Sequence, residues 1–340
     1  GEIIVRYKGR TEHLKTDNEQ VFANTLKRLL RNQERWIAFI EGHDERSALS
    51  SAREDLGGWA NNLLKEGYRI QPINLLETKI IPNNTKILVI ASPTGDYLAN
   101  EVETILNYID DGGNLLWLHD PGSLHKLDKL AEKLSIEFRQ GVIIDSVGQE
   151  IGVENPTIVF ITKSLYQAHP ITKDFDFVTL FPIAGAINTK ESELWKTMPI
   201  LNTGKHTWNE TGELKGEIEF NVNTETQGPF ILGLSMERDI EKEEDDKLIT
   251  KSQRILIIGD GDFLSNGYFS NNGNDELGKR MINWLSNDDD FILISSKTVM
   301  DTQLKTPFII LGILGVGFLF LVPIILITVG IFIQFRRKKQ

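Results

Sequence analysis

The sequence predicts a doubly wound α/β fold with a mostly parallel sheet, followed by one C-terminal transmembrane helix. Three observations predict this: short apolar runs alternate with amphipathic segments, the middle of the chain holds strand-like segments only, and a long uncharged stretch precedes a basic tail. Alternating strands and helices are typical of parallel sheets that helices cover on both faces.

The strands and helices of the predicted sheet follow one another along the chain. Four apolar runs end at Gly, Pro or Asp, which indicates buried strands that open into turns. These runs are WIAFIEG (36–42), KILVIASP (86–93), NLLWLHDPG (114–122) and RILIIGDGDF (254–263). Segments with apolar residues at helical spacing follow them at 47–68, 95–113, about 123–134 and 274–285. A weaker strand, YRIQPINLLE, lies between the first two runs.

The middle of the chain, from about 142 to 250, predicts a β-rich insertion within the same domain. Its strand-like segments are PTIVFITKSL, FVTLFPIAGAINT, GEIEFNVNT and FILGLSM, and the chain returns to the main sheet at Arg254. The acidic run ERDIEKEEDDK (237–247) predicts a solvated loop or flexible connector. At the N-terminus, EIIVRY predicts a strand and NEQVFANTLKRLLRN a helix with a basic exposed face.

The C-terminus has the pattern of a membrane anchor. The stretch 308–333 carries no charge and, at about 1.5 Å per residue, is long enough to cross a hydrocarbon core of about 30 Å. We therefore predict an extracytoplasmic domain at 1–290, a linker at 291–305, a transmembrane helix at 306–335 and a basic tail at 336–340. The positive-inside rule places the tail in the cytoplasm and the domain outside. A tail-anchored protein with its bulk in the cytosol is the alternative.

Composition excludes several classes of function. The chain has 340 residues and no cysteine, so disulfides, thiolate metal sites and cysteine nucleophiles are absent. Its net charge of −11 argues against binding to nucleic acid, which requires clustered Lys and Arg.

Polar side chains follow the predicted strands at the point where each strand ends. In open parallel sheets, ligands bind beyond the carboxyl ends of the strands, near the point where strand order reverses. A single ligand or partner crevice is therefore one interpretation, and helix capping and turn formation by the same side chains is the other. The candidate residues are His43, Glu45, His119, Asp120, Asp260 and Asp262.

The sequence contains no complete nucleotide-binding or hydrolase motif. The segment GNDELGKR (273–280) resembles a phosphate-binding loop, but Arg280 replaces the magnesium-binding hydroxyl, and we expect no direct ATP binding. Neither Ser123 nor Ser265 lies in the G-x-S-x-G frame of a nucleophile elbow.

A calcium loop beginning at Asp260 is also incomplete. Leu264 stands at a ligand position and Ser265 where the loop requires Gly. We expect no metal and no cofactor; a different metal arrangement, using Asp260, Asp262 and a distant His, is the alternative.

Several segments, in order along the chain, resemble the accessory membrane subunits of gliding-motility-associated ABC transporters. These segments are FIEGHDE, ILVIASP, EVETILNYIDDGGNLLWLHDPG, RILIIGDGDFLSN, NNGNDELGKRMINWL and LVPIILITVGIFIQFRRKK. The resemblance implies separate permease and ATPase partners, contact with the lipid bilayer, and a location in the bacterial inner membrane. It also implies a soluble domain like class I glutamine amidotransferases, with a flavodoxin-type sheet.

In amidotransferases the strand after a GG turn carries a catalytic Cys, and the matching place here holds His119 and Asp120. The resemblance therefore implies a non-catalytic domain that binds a ligand or partner. The alternative is a membrane-tethered envelope hydrolase that uses His43, Glu45, His119 and the Asp260/Asp262 pair.

Overall fold

The computed structural model describes residues 3–7, 10–14, 22, 25, 35–146, 148, 155–215, 218–244, 247–271, 273–287 and 317–337. The chain divides into two compact units, Gly1–Ile292 and Leu293–Gln340.

A large, mostly parallel sheet forms the centre of the first unit and confirms the α/β class. Its parallel strands are β3 (Arg35–Glu41), β4 (Tyr68–Asn74), β5 (Thr85–Ala91), β6 (Asn114–Leu118) and the end of β15 (Lys247–Ile258). They lie side by side in the order β4-β3-β5-β6-β15. This is the 2-1-3-4-5 order of flavodoxin-like sheets, and strand order reverses between β3 and β5.

Helices cover both faces of the sheet because alternate residues of each strand are apolar on both sides. On one face, Ile37, Val89 and Leu116 pack with Trp59 of one helix and Met281 of another. On the other face, the intervening strand residues pack against three further helices. Among the described residues of this unit, the helices are α1 (Gly57–Lys65), α2 (Leu75–Thr78), α3 (Ala99–Asp110), α4 (Asp128–Lys133) and α5 (Asn274–Leu285).

The β-rich region continues the same sheet with antiparallel strands. They are β7 (Ile136–Phe138), β11 (Ile187–Thr189), β12 (Lys196–Asn202) and β14 (Ile231–Glu244). Three two-stranded sheets accompany them: β1 (Ile3–Tyr7) with β2 (Arg10–Leu14), β8 (Val142–Asp145) with β13 (Thr207–Glu210), and β9 (Val159–Ile161) with β10 (Thr179–Phe181).

The acidic run 237–247 was expected to be a loop, and this prediction is wrong. Through Glu244 it is the end of β14, which pairs with β15 in a long antiparallel hairpin. The register explains how a strand accommodates the charges: Glu237 lies opposite Arg254, and Asp239 lies opposite Ser252. Acidic side chains at alternate positions share one face of a strand, so they can remain in water.

Three further expectations differ from the structure. The helix expected within 47–68 begins only at Gly57, and the helix expected at about 123–134 is shortened to Asp128–Lys133. The segment GEIEFNVNT, where described, forms turns and irregular structure instead of a strand. Ser, Gly and Pro residues before the two helices favour turns over helix there.

The second unit is described only near its end. A π-helical turn, Gly317–Leu321, leads into α6 (Val322–Arg337). Within the described ranges, no helix combines the length and the apolar character that crossing a membrane requires. The expected linker 291–305 and the first part of the expected span, 306–316, lie outside the described residues. So does the N-terminal helix expected from NEQVFANTLKRLLRN, apart from residues 22 and 25.

Candidate functional site

The carboxyl ends of β3, β5, β6 and β15 lie next to one another and form one rim. We define the rim as residues 42–46, 92–98, 119–122 and 259–266. It includes the position between β3 and β5 where strand order reverses, which is the usual ligand position in such sheets. All six candidate residues from the sequence lie on it. Four of them form two networks, Asp260 lies beneath the second network, and His119 lies apart from both.

The first network joins the loop after β3 to the start of α3. His43 Nε2 lies 2.7 Å from Glu101 Oε2, and that carboxylate also accepts a hydrogen bond of 2.8 Å from the backbone N–H of Leu98. Glu45 accepts from the backbone N–H of His43 at 2.7 Å and from the Tyr97 hydroxyl. These carboxylates therefore close a loop and cap a helix, and both are almost fully buried.

The second network is a partly buried cation between carboxylates. Arg46 Nη2 lies 2.7 Å from Asp120 Oδ2 and 2.9 Å from Asp262 Oδ1. The other end of the guanidinium donates to the backbone carbonyl of Glu54 at 2.7 Å. Asp120 also accepts from the backbone N–H of Gly261 at 2.7 Å. The network thus ties the ends of β6 and β15 to the loop after β3.

Asp260 is fully buried beneath this network and organises the turn after β15. It accepts hydrogen bonds from the backbone N–H groups of Phe263, at 2.8 Å, and Ile183, at 3.3 Å. Burial raises the pKa of Asp260 well above its usual range; Asp120 and Asp262 raise it further, and the two backbone hydrogen bonds oppose the rise.

His119 lies apart from both networks, in an aromatic environment. Its ring centroid is 4.2 Å from that of Phe138 and 6.2 Å from that of Trp117. Burial lowers the pKa of His119 to about 4, so the imidazole is neutral at physiological pH. Its Nε2 is buried and has no hydrogen-bond partner among the described residues.

Ser92 is a rim residue that sequence reasoning missed. It follows β5 at the point of strand-order reversal, has the left-handed φ of +49°, and is buried. Its Oγ has no hydrogen-bond partner among the described residues, and a Cβ added at Gly261 would lie only 2.0 Å from it. A nucleophile elbow also places a serine in a strained turn after a strand, but here the next helix begins only at Ala99, and a serine with no base on its hydroxyl is not activated.

The rim offers little acid–base chemistry of its own. The carboxylates at Glu45, Asp120, Asp260 and Asp262 are engaged by backbone N–H groups, Tyr97 or Arg46. In the described part of the chain, no group of three or more His, Asp or Glu side chains is arranged to hold a metal ion. The arrangement therefore favours the structural interpretation of the acidic residues over the hydrolase alternative.

The partners of the candidate residues were not predicted. Glu101 and Tyr97 lie more than fifty residues from His43 and Glu45, so no local pattern joins them. Of these partners, Arg46 could most easily have been predicted. It directly follows Glu45, and three aspartates on one rim are more stable with a cation beside them.

A family model and two solved structures are similar to this chain. A family model described as "ABC-type uncharacterized transport system" matches residues 34–294. The mmIFT52 N-terminal domain is similar in structure, with a TM-score of 0.53 and 14% identity over 74% of this chain and 97% of that one. A protein described as ThuA-like from Bacteroides uniformis gives a TM-score of 0.46 and 12% identity, over 75% of this chain and 93% of that one. No curated protein matches the sequence significantly.

Proposed function

The chain belongs to the family described as "ABC-type uncharacterized transport system", and from this premise we propose that it is a membrane-anchored accessory subunit that binds a partner or ligand at the rim. Family membership makes it an auxiliary component of an ABC transport system, and it supports a non-enzymatic role. The family model covers most of the first unit, including every rim residue.

The observation that carries the proposal is the internal pairing of the rim's charged groups. Arg46 bridges Asp120 and Asp262, and Glu101 engages His43 while capping α3. These paired side chains hold the four strand ends in one fixed surface. A surface that is already ordered loses less entropy when it binds a partner, so it suits partner recognition. Catalysis would instead require a base and a nucleophile in contact.

We propose the membrane anchor from the amino-acid sequence. The uncharged stretch 308–333 is long enough to span a bilayer, and the basic residues after it favour a cytoplasmic C-terminus. The domain at 1–290 would then lie on the extracytoplasmic side of a bacterial inner membrane, joined through the linker 291–305 to the helix 306–335.

We further propose that the partners are separate permease and ATPase subunits. The chain carries no complete phosphate-binding loop, so another subunit would hydrolyse ATP. We propose a relation to the gliding-motility-associated subunits as well, which the segments that resemble them support. We also propose that the soluble domain is related to class I glutamine amidotransferases. In this comparison, His119 and Asp120 occupy the place of the catalytic Cys of those enzymes.

Affinity purification of the full chain from its native membrane in a mild detergent, followed by mass spectrometry, tests the proposal. We expect an ATPase and a multispan permease to co-purify in constant ratio. An unrelated single-span protein with the same tag, purified in parallel, is the control. Recovery of neither subunit, in a preparation where other transporters stay intact, would refute the subunit role.

A further inference from the structure

The hairpin of β14 and β15 extends beyond the main sheet as a two-stranded ribbon. β12 pairs with β14 only up to Glu237, and β6 pairs with β15 only from Ile255 onward. Seven further residue pairs continue the hairpin, and among the described residues no third strand flanks them on either side. We define the ribbon as residues 238–244 and 247–253. At about 3.4 Å per residue, it is about 24 Å long.

The base of the ribbon is held against the domain. Arg238 Nε donates to Gln253 Oε1 at 2.6 Å, and both side chains donate to Ile109 O, at 2.9 Å each. The guanidinium of Arg238 also lies over the ring of Trp195, 4.4 Å from its centroid. These contacts fix the first pair of the ribbon to the C-terminal end of α3, so the folded domain sets the direction in which the ribbon begins.

The ribbon begins at the end of the domain where the described chain of the first unit ends. Asn287, the last described residue of this unit, donates from Nδ2 to Ser252 O at 2.9 Å. From Asn287 the sequence continues into the expected linker 291–305 and the uncharged stretch 308–333. The ribbon and this exit point therefore lie together at the amino ends of the parallel strands, whereas the rim lies at their carboxyl ends.

The outer part of the ribbon is acidic. From 239 to 250 the sequence has six acidic and two basic residues. Asp239 and Glu241 share one face of β14, and they lie opposite Ser252 and Thr250, which carry no charge. Both acidic residues are exposed, and among the described residues neither carboxylate has a salt-bridge partner. This face of the ribbon therefore presents negative charge that the neighbouring strand does not balance.

The charge of the ribbon limits what can cover it. The N–H and C=O groups of a free strand edge favour pairing with another strand, and charged side chains oppose that pairing. A second copy of the ribbon would bring acidic side chains against acidic side chains, and anionic lipid headgroups would repel it in the same way. A basic protein surface has the complementary charge, and such complementarity speeds association and orients the two partners.

We propose that the ribbon docks on a basic extracytoplasmic surface of the permease subunit, with Asp239 and Glu241 at the contact. The inference rests on the proposed function and adds a second contact with the transporter, at the end of the domain opposite the rim. The position of the ribbon beside the segment that leads to the expected anchor supports a partner in the same membrane. Because salt screens contacts between exposed charges, the docking weakens as ionic strength rises.

Photo-crosslinking in native membranes tests this contact. The full chain carries Thr250→p-benzoylphenylalanine, on the acidic face, or Val222→p-benzoylphenylalanine, at a 76% exposed residue outside the ribbon. Mass spectrometry after irradiation identifies the molecule that has been joined: the permease, a lipid or a second copy of the chain. We expect the permease from position 250 and not from position 222.

Two ribbon variants separate docking from folding. Asp239→Asn/Glu241→Gln removes two charges, and Thr250→Lys places a cation opposite Glu241, which favours the hairpin through a cross-strand pair. Thr250→Lys should therefore keep or raise the melting temperature while it weakens docking. The control is Glu132→Gln/Glu137→Gln, which removes two exposed carboxylates outside the ribbon.

We expect the recovery of the permease at low salt to fall several-fold in both ribbon variants and to stay at the wild-type level in the control. The difference should disappear at high salt. If wild type recovers the permease, then no crosslink from position 250, or no loss in either ribbon variant, overturns the ribbon contact and leaves the proposed function standing. A crosslink to lipid or to a second copy in place of the permease also overturns it. If wild type recovers neither permease nor ATPase, the proposed function itself fails, and this inference fails with it.

Discussion

Arg46 Nη2 lies 2.7 Å from Asp120 Oδ2, and this ion pair joins the loop after β3 to the end of β6. The same nitrogen lies 2.9 Å from Asp262 Oδ1, so one guanidinium serves two carboxylates. The Arg46 side chain is only 13% exposed, and those of Asp120 and Asp262 are 33% and 18% exposed. Removing the cation would therefore leave two partly buried carboxylates close to each other and to Asp260.

Replacing Arg46 with Met should lower the free energy of unfolding substantially at neutral pH. Loss of one partner from a buried ion pair costs about 3–5 kcal/mol, and partial exposure of the two aspartates reduces our expectation to about 2–4 kcal/mol. Urea unfolding at pH 7 measures the change. The control is Lys163→Met, which breaks a solvent-exposed pair with Asp176 and should leave the free energy of unfolding nearly unchanged. Equal losses in the two variants would show that the Arg46 network does not stabilise the rim.

Asp260→Asn should change how stability depends on pH. Because the pKa of Asp260 is raised in the folded state, the native protein holds this proton over a pH range where the unfolded chain has released it. Wild-type stability relative to the Asn variant should therefore fall as pH rises from about 4 through the raised folded pKa, and then stay constant. Urea midpoints of both proteins across this range test the sign. A difference that rises with pH contradicts the prediction.

His119→Gln should show the opposite dependence at lower pH. The folded pKa of about 4 lies below the ordinary value of 6.5, so the unfolded chain binds the proton first as pH falls. Wild type should lose up to about 3 kcal/mol relative to the variant between about pH 6.5 and 4, and the difference should be constant above pH 7. Paired urea unfolding curves measure it, and a difference that does not change with pH would show that His119 is solvated.

Gly259→Ala should disrupt the contact between the end of β15 and the loop before β11. A Cβ at Gly259 would lie 2.1 Å from the backbone oxygen of Gly185, and Gly185 N–H donates to Gly259 O at 2.6 Å. Because a backbone atom cannot move aside cheaply, we expect a loss of about 2–3 kcal/mol. At Gly204 the nearest heavy atom to an added Cβ is 4.0 Å away, so Gly204→Ala is the matched control and should lie within about 0.5 kcal/mol of wild type. Similar melting temperatures of the two variants would contradict this account.

The sequence predicted the parallel strands because burial on both faces leaves an unbroken apolar run such as ILVIA in β5. It failed at 237–247, where charge alone indicated a loop. This run forms a strand because it pairs with β15, where Arg254 and Ser252 lie opposite its acidic residues. The pairing depends on the register of the two strands, which composition does not reveal.

The candidate site was predicted in position but not in its contacts. Residues at the ends of parallel strands meet at one edge by topology, so the position of His43, Asp120 and Asp260 followed from the strand assignment. Which groups they bond to depends on side-chain directions across loops. The left-handed backbone of Ser92 likewise has no signal in the sequence, since non-glycine residues seldom adopt it.

Leu98→Asp tests whether the rim is the partner-binding surface without disturbing the fold. Leu98 is 52% exposed and is the N-cap residue of α3, a position where Asp is more favourable than Leu. We therefore expect the variant to unfold at the same temperature as wild type or slightly higher. If an apolar partner surface covers the rim, a buried carboxylate there should weaken association by about 1.4 kcal/mol or more, which is about tenfold. Quantitative mass spectrometry of co-purified permease and ATPase subunits measures this.

Leu194→Asp, at a 67% exposed leucine outside the rim, is the control and should leave recovery unchanged. Undiminished recovery with Leu98→Asp would exclude the rim as the interface, whereas failure of the wild type to recover either subunit would refute the transporter role itself.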